Sequence, residues 1–220
     1  MNNRQFYNRI SAEVRRCLDE AERMRQHMLH LEEQSRDNKY SAEYKQIFAE
    51  QARQERRNIE RVIENGKKAC QAICDEYTTE LRDADALRGT EVNDDMKLLQ
   101  GGVKLSRNDV QSMLNRNSSN RTMTQLILRY AEGNGIETGV QYVGNKLKID
   151  KVNSAMSAVD VALKWWHDPS TMMFDKLIGK GSALHGAFVL EDDKPVEQAP
   201  VTFSQAQVDV IMNGLHLDQA

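Results

Sequence analysis

The sequence predicts an all-α protein: a long N-terminal helical hairpin or coiled coil, a small helical domain, and a C-terminal arm with a terminal helix. Three observations point there. Near the N-terminus Tyr7, Ile10, Val14, Cys17, Ala21, Met24, Met28 and Leu31 alternate spacings of three and four, with charged and amide residues between them. A 3.5-residue apolar period keeps one seam facing a partner helix. Phe48, Ala52, Ile59, Val62, Gly66, Ala69 and Ile73 continue a similar rhythm after a polar break. The composition agrees, with 29% charged residues, 6% aromatic residues and 3 prolines in 220 residues; this describes long helix better than sheet.

The first helix is expected over Asn3–Gln34. The polar stretch Ser35–Tyr40 interrupts the apolar period. Ser41 is suited to cap a second helix running to about Asp85, with Glu43 near the positive end of its dipole. So short a connection makes the two helices antiparallel neighbours. The second seam is imperfect. Glu55 and Gly66 occupy core-type positions, and after Ile73 the rhythm shifts to Tyr77, Leu81 and Ala84, as a stutter produces. Gly66 reads as a packing or bending point, because a missing side chain lets another helix come close.

A short helix over Asp95–Gln100 stops at Gly101-Gly102. Ser106 with Asp109 three residues on resembles a capping box, opening a helix through Val110, Met113 and Leu114. Asn115–Asn120 forms a turn, and Asn120 caps a helix carrying Met123, Leu126, Ile127 and Tyr130. Gly133-Asn134-Gly135 ends it, with Ile136 folding back. Val140, Tyr142 and Val143 suit a strand fragment. Lys146–Trp166 reads as a helix with Ile149, Val152, Met156, Val159 and Leu163 inward. Ser170 is placed to cap a short helix through Phe174 and Ile178. Ala183–Thr202, with two prolines and the acidic run Glu191-Asp192-Asp193, reads as a linker or arm, and Ser204 as the cap of a last amphipathic helix. The expected division is therefore residues 1–88, 95–182 and 183–220.

Composition narrows the function. A net charge of −3 excludes a globally basic nucleic-acid coat but not a local basic patch. Cys17, Cys70 and Cys74 read as buried thiols in a reducing compartment. Met1-Asn2-Asn3-Arg4 opens no apolar stretch, so no signal peptide is expected, and no apolar window is long enough to span a bilayer. His27 and His30 lack a third ligand and read as solvated helix surface. Trp165-Trp166-His167-Asp168 reads as core or interface. Gly179-Lys180-Gly181-Ser182 lacks the first glycine of a phosphate loop. The nucleotide-loop, dinucleotide, nucleophile-elbow and zinc-protease motifs are all missing from the sequence. These readings predict a protein that is not an enzyme, with no cofactor and no metal.

Two sets of residues carry the positive expectations. Ile10, Val14, Cys17, Met24, Met28, Ile59, Val62 and Ile73 form a self-association seam, and Val208, Ile211 and Met212 the apolar face of a partner-docking helix. The competing expectation is a DNA-binding regulator. Residues 106–131 have the outline of a helix-turn-helix, with Lys104, Arg107, Arg116, Arg121 and Gln125 as nucleic-acid contacts.

Leu105-Ser106-Arg107-Asn108-Asp109-Val110 through Asn117, and Asn120-Arg121-Thr122-Met123 through Tyr130-Ala131, resemble a segment recurring in uncharacterised proteins of tailed phages and prophages of Gram-positive bacteria, often encoded among head-assembly genes. The likeness covers about 30 of 220 residues and carries no catalytic residue. It implies a virion or capsid-assembly component, homo-oligomeric and bound to another structural protein, in the bacterial host cytoplasm or the virion. Nucleic acid is not the favoured partner and a membrane is not expected. An inhibitor sequestering a host protein would fit the same sequence.

Overall fold

Asn2 begins the first helix with a reciprocal cap: its side chain accepts from Gln5 N–H at 2.8 Å, and Gln5 Oε1 accepts from Asn2 N–H at 2.9 Å. From that cap, the computed structural model runs α1 over Asn3–Arg36, and after a short turn α2 over Ala42–Asp85. The structure describes residues 1–165, 172–190 and 202–204. A single 3-10 turn at Gly89–Glu91 follows, then α3 (Asp95–Gln100), α4 (Arg107–Arg116), α5 (Arg121–Gly133), β1 (Val140–Tyr142), α6 (Lys146–Lys164), α7 (Met172–Leu177), α8 (Ala183–His185) continuing into a π-type turn at Gly186–Leu190, and β2 (Thr202–Ser204). The chain is all-α, with only two three-residue strands among the described residues.

The helix ends follow the side chains that cap them. Ser41 Oγ accepts, at 3.5 Å, from Tyr44 N–H. Ser106 and Asp109 make the expected box, Ser106 N–H donating to Asp109 Oδ2 at 2.9 Å. Asn120 Oδ1 accepts from Met123 N–H at 2.9 Å. Gly135, at φ +66°, turns the chain so that Ile136 N–H reaches back to Ala131 O at 2.8 Å.

The chain divides into two compact units that interleave in sequence: residues 1–77 with 152–193, and residues 78–151 with 194–220. The linear division at 88 and 182 does not describe this grouping. Helices α2 and α6 each contribute to both units.

In the first unit α1 and α2 pair antiparallel. Arg9 and Glu76 bridge them at 2.8 Å, and His27 Nδ1 lies 2.9 Å from Glu55 Oε1. Glu55, a charge at a core-type position, is thus satisfied across the pair. Helix α1 buries a regular heptad: Asn3, Ile10, Cys17 and Leu31 on one line, Tyr7, Val14, Ala21 and Met28 on the next. Helix α2 does not keep the expected phase. Its buried line is Ala52, Ile59, Ile63, Gly66, Cys70, Cys74, Tyr77 and Leu81. Val62 and Ile73 of the expected seam are only half-buried, as is Met24 on α1. From Ile59 onward the same environments recur every eleven residues: Ile59, Cys70 and Leu81; Ile63 and Cys74; Gly66 and Tyr77. Eleven residues make three turns at 3.67 per turn, close to a straight helix, so the seam hardly drifts around α2. The stutter falls between Cys70 and Cys74.

At the terminal end of the hairpin, α6–α8 add a second layer. Phe6 stacks on Tyr77 at 5.0 Å and meets Phe188 at 4.9 Å. Tyr7 donates to Ile178 O at 2.8 Å, Arg15 lies over the Phe174 ring at 5.1 Å, and Lys67 pairs with Asp160 at 3.4 Å. Residues 183–190, expected to start an arm, are helical instead, with Leu184 and Phe188 buried. Two apolar side chains turned inward outweigh the linker-like composition that follows them.

In the second unit Leu105, Val110, Met113, Leu114, Met123, Ile127 and Ala131 form the core of the α4–α5 pair, flanked by Met96, Leu99 and Ile136. β1 pairs antiparallel with β2, Val140 opposite Ser204. Ser204 therefore sits in a strand rather than capping a helix. The expected terminal helix with Val208, Ile211 and Met212 lies outside the described residues, as do Trp166, His167, Asp168, Ser170 and Glu191-Asp192-Asp193.

Candidate functional site

The densest polar arrangement among the described residues is centred on Asp85, the last residue of α2. Gly144, at φ +53°, turns the chain between β1 and α6 so that the backbone passes against this carboxylate. A β-carbon at residue 144 would lie 2.6 Å from Asp85 Oδ2, so only glycine fits. The turn delivers Asn145 N–H to Oδ2 at 2.6 Å. Asn145, fully buried, also donates from Nδ2 to Leu81 O at 2.9 Å and to Asp85 Oδ1 at 3.2 Å. Tyr142 donates its hydroxyl to Oδ1 at 2.9 Å. From the first turn of α5, Arg121 Nη1 reaches Oδ1 at 2.6 Å, and Gln125 Nε2 donates to Asp85 O at 2.6 Å. Burial, then the hydrogen bond to Asp85, pushes the Tyr142 phenol up to about 12.

Chemically this is a clamp. Asp85 accepts hydrogen bonds on both oxygens from an arginine, a phenol, a backbone amide and a side-chain amide. Taking a proton from a substrate would mean breaking that set. The same end of α5 is held by a second polar chain. Thr122 Oγ1 accepts from Arg88 N–H at 3.0 Å and donates to Glu91 Oε2 at 2.7 Å. Asn117 Nδ2 donates to Asp95 Oδ2 at 2.7 Å, and Thr124 Oγ1 to Asn117 O at 2.9 Å.

This placement corrects the groove-reading expectation for α5. Arg121 and Gln125 are each 7% exposed, and Thr122 and Thr124 are buried beside them. The residues that would enter a DNA groove point into their own unit. Lys104 and Arg107 are exposed, and Arg116 is exposed but paired with Asp95 at 3.0 Å. The structure thus separates the expected contact set into three surface cations and two buried groups. Nothing in the sequence links Asp85 to Arg121, 36 residues on; neither apolar periodicity nor capping registers such a pair.

Of the expected seam, Ile10, Val14, Cys17 and Ile59 are fully buried and Met28 nearly so, all within one chain. Cys17 Sγ donates to Val62 O at 3.3 Å and sits over Gly66, where a β-carbon would lie 2.5 Å away. Gly66 is a packing point: α1 and α2 approach closely because it has no side chain. Burial pushes the thiols up, Cys17 and Cys74 to about 11 and Cys70 to about 12.

Gly181 takes φ +89° and Ser182 Oγ accepts from His185 N–H at 3.1 Å, so the Gly179–Ser182 stretch is the turn and cap of α8. Among the described residues no cluster of three His, Cys, Asp or Glu side chains could hold a metal, and no helix is long and apolar enough to cross a membrane. An open cleft of about 520 Å³ lies between α5 and β1, lined by Leu128, Arg129, Glu132, Ile136 and Tyr142. Comparison with protein-family models, with curated proteins and with solved structures gave no match.

Proposed function

We propose that the chain is a non-enzymatic assembly protein, of the kind encoded among the head components of tailed phages, whose helical hairpin is the contact element. The supporting observation is how the hairpin is covered. Every bond and ring contact described above between α6–α8 and the hairpin falls in its half near the termini. Beyond them, α1 and α2 meet each other through Met28, Leu31, Ala52 and Ile59. That outer half leaves Leu29 40%, Tyr44 58% and Ile47 45% exposed, an apolar offering on a charged rod. Because the seam itself closes within one chain, self-association works through these outer residues or through exchange of hairpins between copies. A second copy of the chain is the first partner and another structural protein the second; the setting is the bacterial host cytoplasm or the virion.

The test is the absolute mass of the purified chain by light scattering during gel filtration, for the wild type and for Tyr44→Asp/Ile47→Asp. The expected result is a defined oligomer that the double variant reduces to smaller species with unchanged helix content. A wild type that stays monomeric at every concentration removes self-association from the proposal.

A further inference from the structure

We propose that the flank of the hairpin carrying Arg36, Arg53, Arg56 and Arg57 is a binding site for phosphoryl oxyanions. An open cleft of about 450 Å³ lies there between the last turns of α1 and the first half of α2. Its floor includes Ala49 and Ala52, two small side chains that leave room beneath the longer ones. Arg53, Arg56 and Arg57 are three and four residues apart, which puts them on one side of α2, and Arg36 comes from the facing end of α1. These four guanidinium groups outnumber the carboxylates around them, Glu32 and Glu60 in the lining and Glu50 paired with Arg53 and Arg57, so the cleft keeps a small positive excess.

The four arginines are not equally committed. Arg53 and Arg57 bond Glu50 at 3.1 and 3.0 Å. Arg36 and Arg56 hydrogen-bond no described residue, and their shared counter-charge is Glu32, at 3.9 and 4.0 Å. Those separations are ion-pair contacts beyond hydrogen-bond range. Each guanidinium has five N–H donors in a planar fork, so two forks face this cleft with their donors unspent. A tetrahedral oxyanion with three or more free oxygens can take forks from two helices at once, whereas a carboxylate has only two oxygens to share. The chemistry therefore fits a terminal phosphoryl group, supplied by a free phosphate compound; a nucleic-acid backbone phosphate, with two free oxygens, does not meet it. This site is distinct from the basic residues of α4 and α5.

The test is calorimetric titration of the full chain at low salt with inorganic pyrophosphate and, separately, with an oligothymidylate. Two variants accompany the wild type: Arg36→Ala/Arg56→Ala, and Lys104→Ala/Arg107→Ala, which removes the same charge elsewhere. All four residues are exposed, and circular dichroism checks that both variants keep their helices. Binding should weaken as salt rises and fall by about tenfold or more in Arg36→Ala/Arg56→Ala alone. Pyrophosphate binding that follows this pattern supports a free phosphate compound as the ligand; binding of the oligonucleotide alone, whose internal phosphates have two free oxygens, overturns the three-oxygen argument. No binding of either probe to the wild type, or an equal loss in both variants, overturns the proposal.

Discussion

Replacing Asp85 with alanine should destabilise the second unit selectively. The substitution deletes the acceptor for Arg121, Tyr142 and Asn145 at a point where Arg121 is 7% and Asp85 19% exposed. Arg121, buried, then loses its 2.6 Å contact with this carboxylate. Breaking a buried pair in this way costs about 3–5 kcal/mol. For a chain of this size that corresponds to a fall of roughly 6–20 °C in Tm. Two units need not melt together, so the sharper assay is amide hydrogen exchange. Exchange should accelerate in α4 and α5 and stay close to wild type over Tyr7–Ala21 of α1. A companion variant, Arg121→Met, separates charge burial from packing. Removing the arginine should cost about 1–3 kcal/mol less in the Asp85→Ala background than in the wild type, and that difference is the coupling of the pair in a double-mutant cycle. Near-wild-type stability of Asp85→Ala, or exchange that accelerates equally in both units, would refute the clamp.

Three further outcomes follow from the packing. Gly66→Ala should destabilise by about 1–3 kcal/mol despite the better helix propensity of alanine, since its β-carbon would meet Cys17 Sγ at 2.5 Å and Cβ at 3.1 Å; Cys17→Ala in the same chain should restore much of the loss in urea unfolding. The three thiols, buried and pushed to about 11–12, should resist a thiol reagent at neutral pH until denaturant is added, and rapid labelling of any one would contradict the seam. Tyr142, pushed up to about 12, should ionise later than an ordinary tyrosine side chain in an absorbance titration. Because its folded-state value lies above the ordinary one of about 10, the stability this adds is complete below about pH 10 and disappears as pH rises towards 12; Asp85→Ala should bring the titration down.

The helices were legible because their signals are local. Asn120, Ser106 with Asp109, and Gly135 act within a few residues of themselves, and each ends or starts a helix where its chemistry requires. The heptad of α1 was legible for the same reason, as a single unambiguous stripe. The seam of α2 was not. Val62-Ile63, Ala69-Cys70 and Ile73-Cys74 are adjacent apolar pairs, so two phases about 100° apart satisfy the sequence equally. Only the partner helix chooses between them, through the close approach of Cys17 to Gly66.

The same division explains residues 121–125. Their basic and amide composition suits a DNA groove and a buried ion-pair network equally well, and only the arrival of Asp85, Tyr142 and Asn145 from distant parts of the chain turns them inward. Residues 183–190 likewise read as arm until Leu184 and Phe188 find the first unit's core. By itself the sequence determined the helices up to α6, about where they stop, and that the first two pair, because capping and amphipathic period are properties of neighbouring residues. Tertiary structure alone decided the phase of the second seam, the burial of Arg121, and the interleaving of the two units. Those depend on contacts between residues far apart in the chain, and no local pattern records which distant residue will arrive.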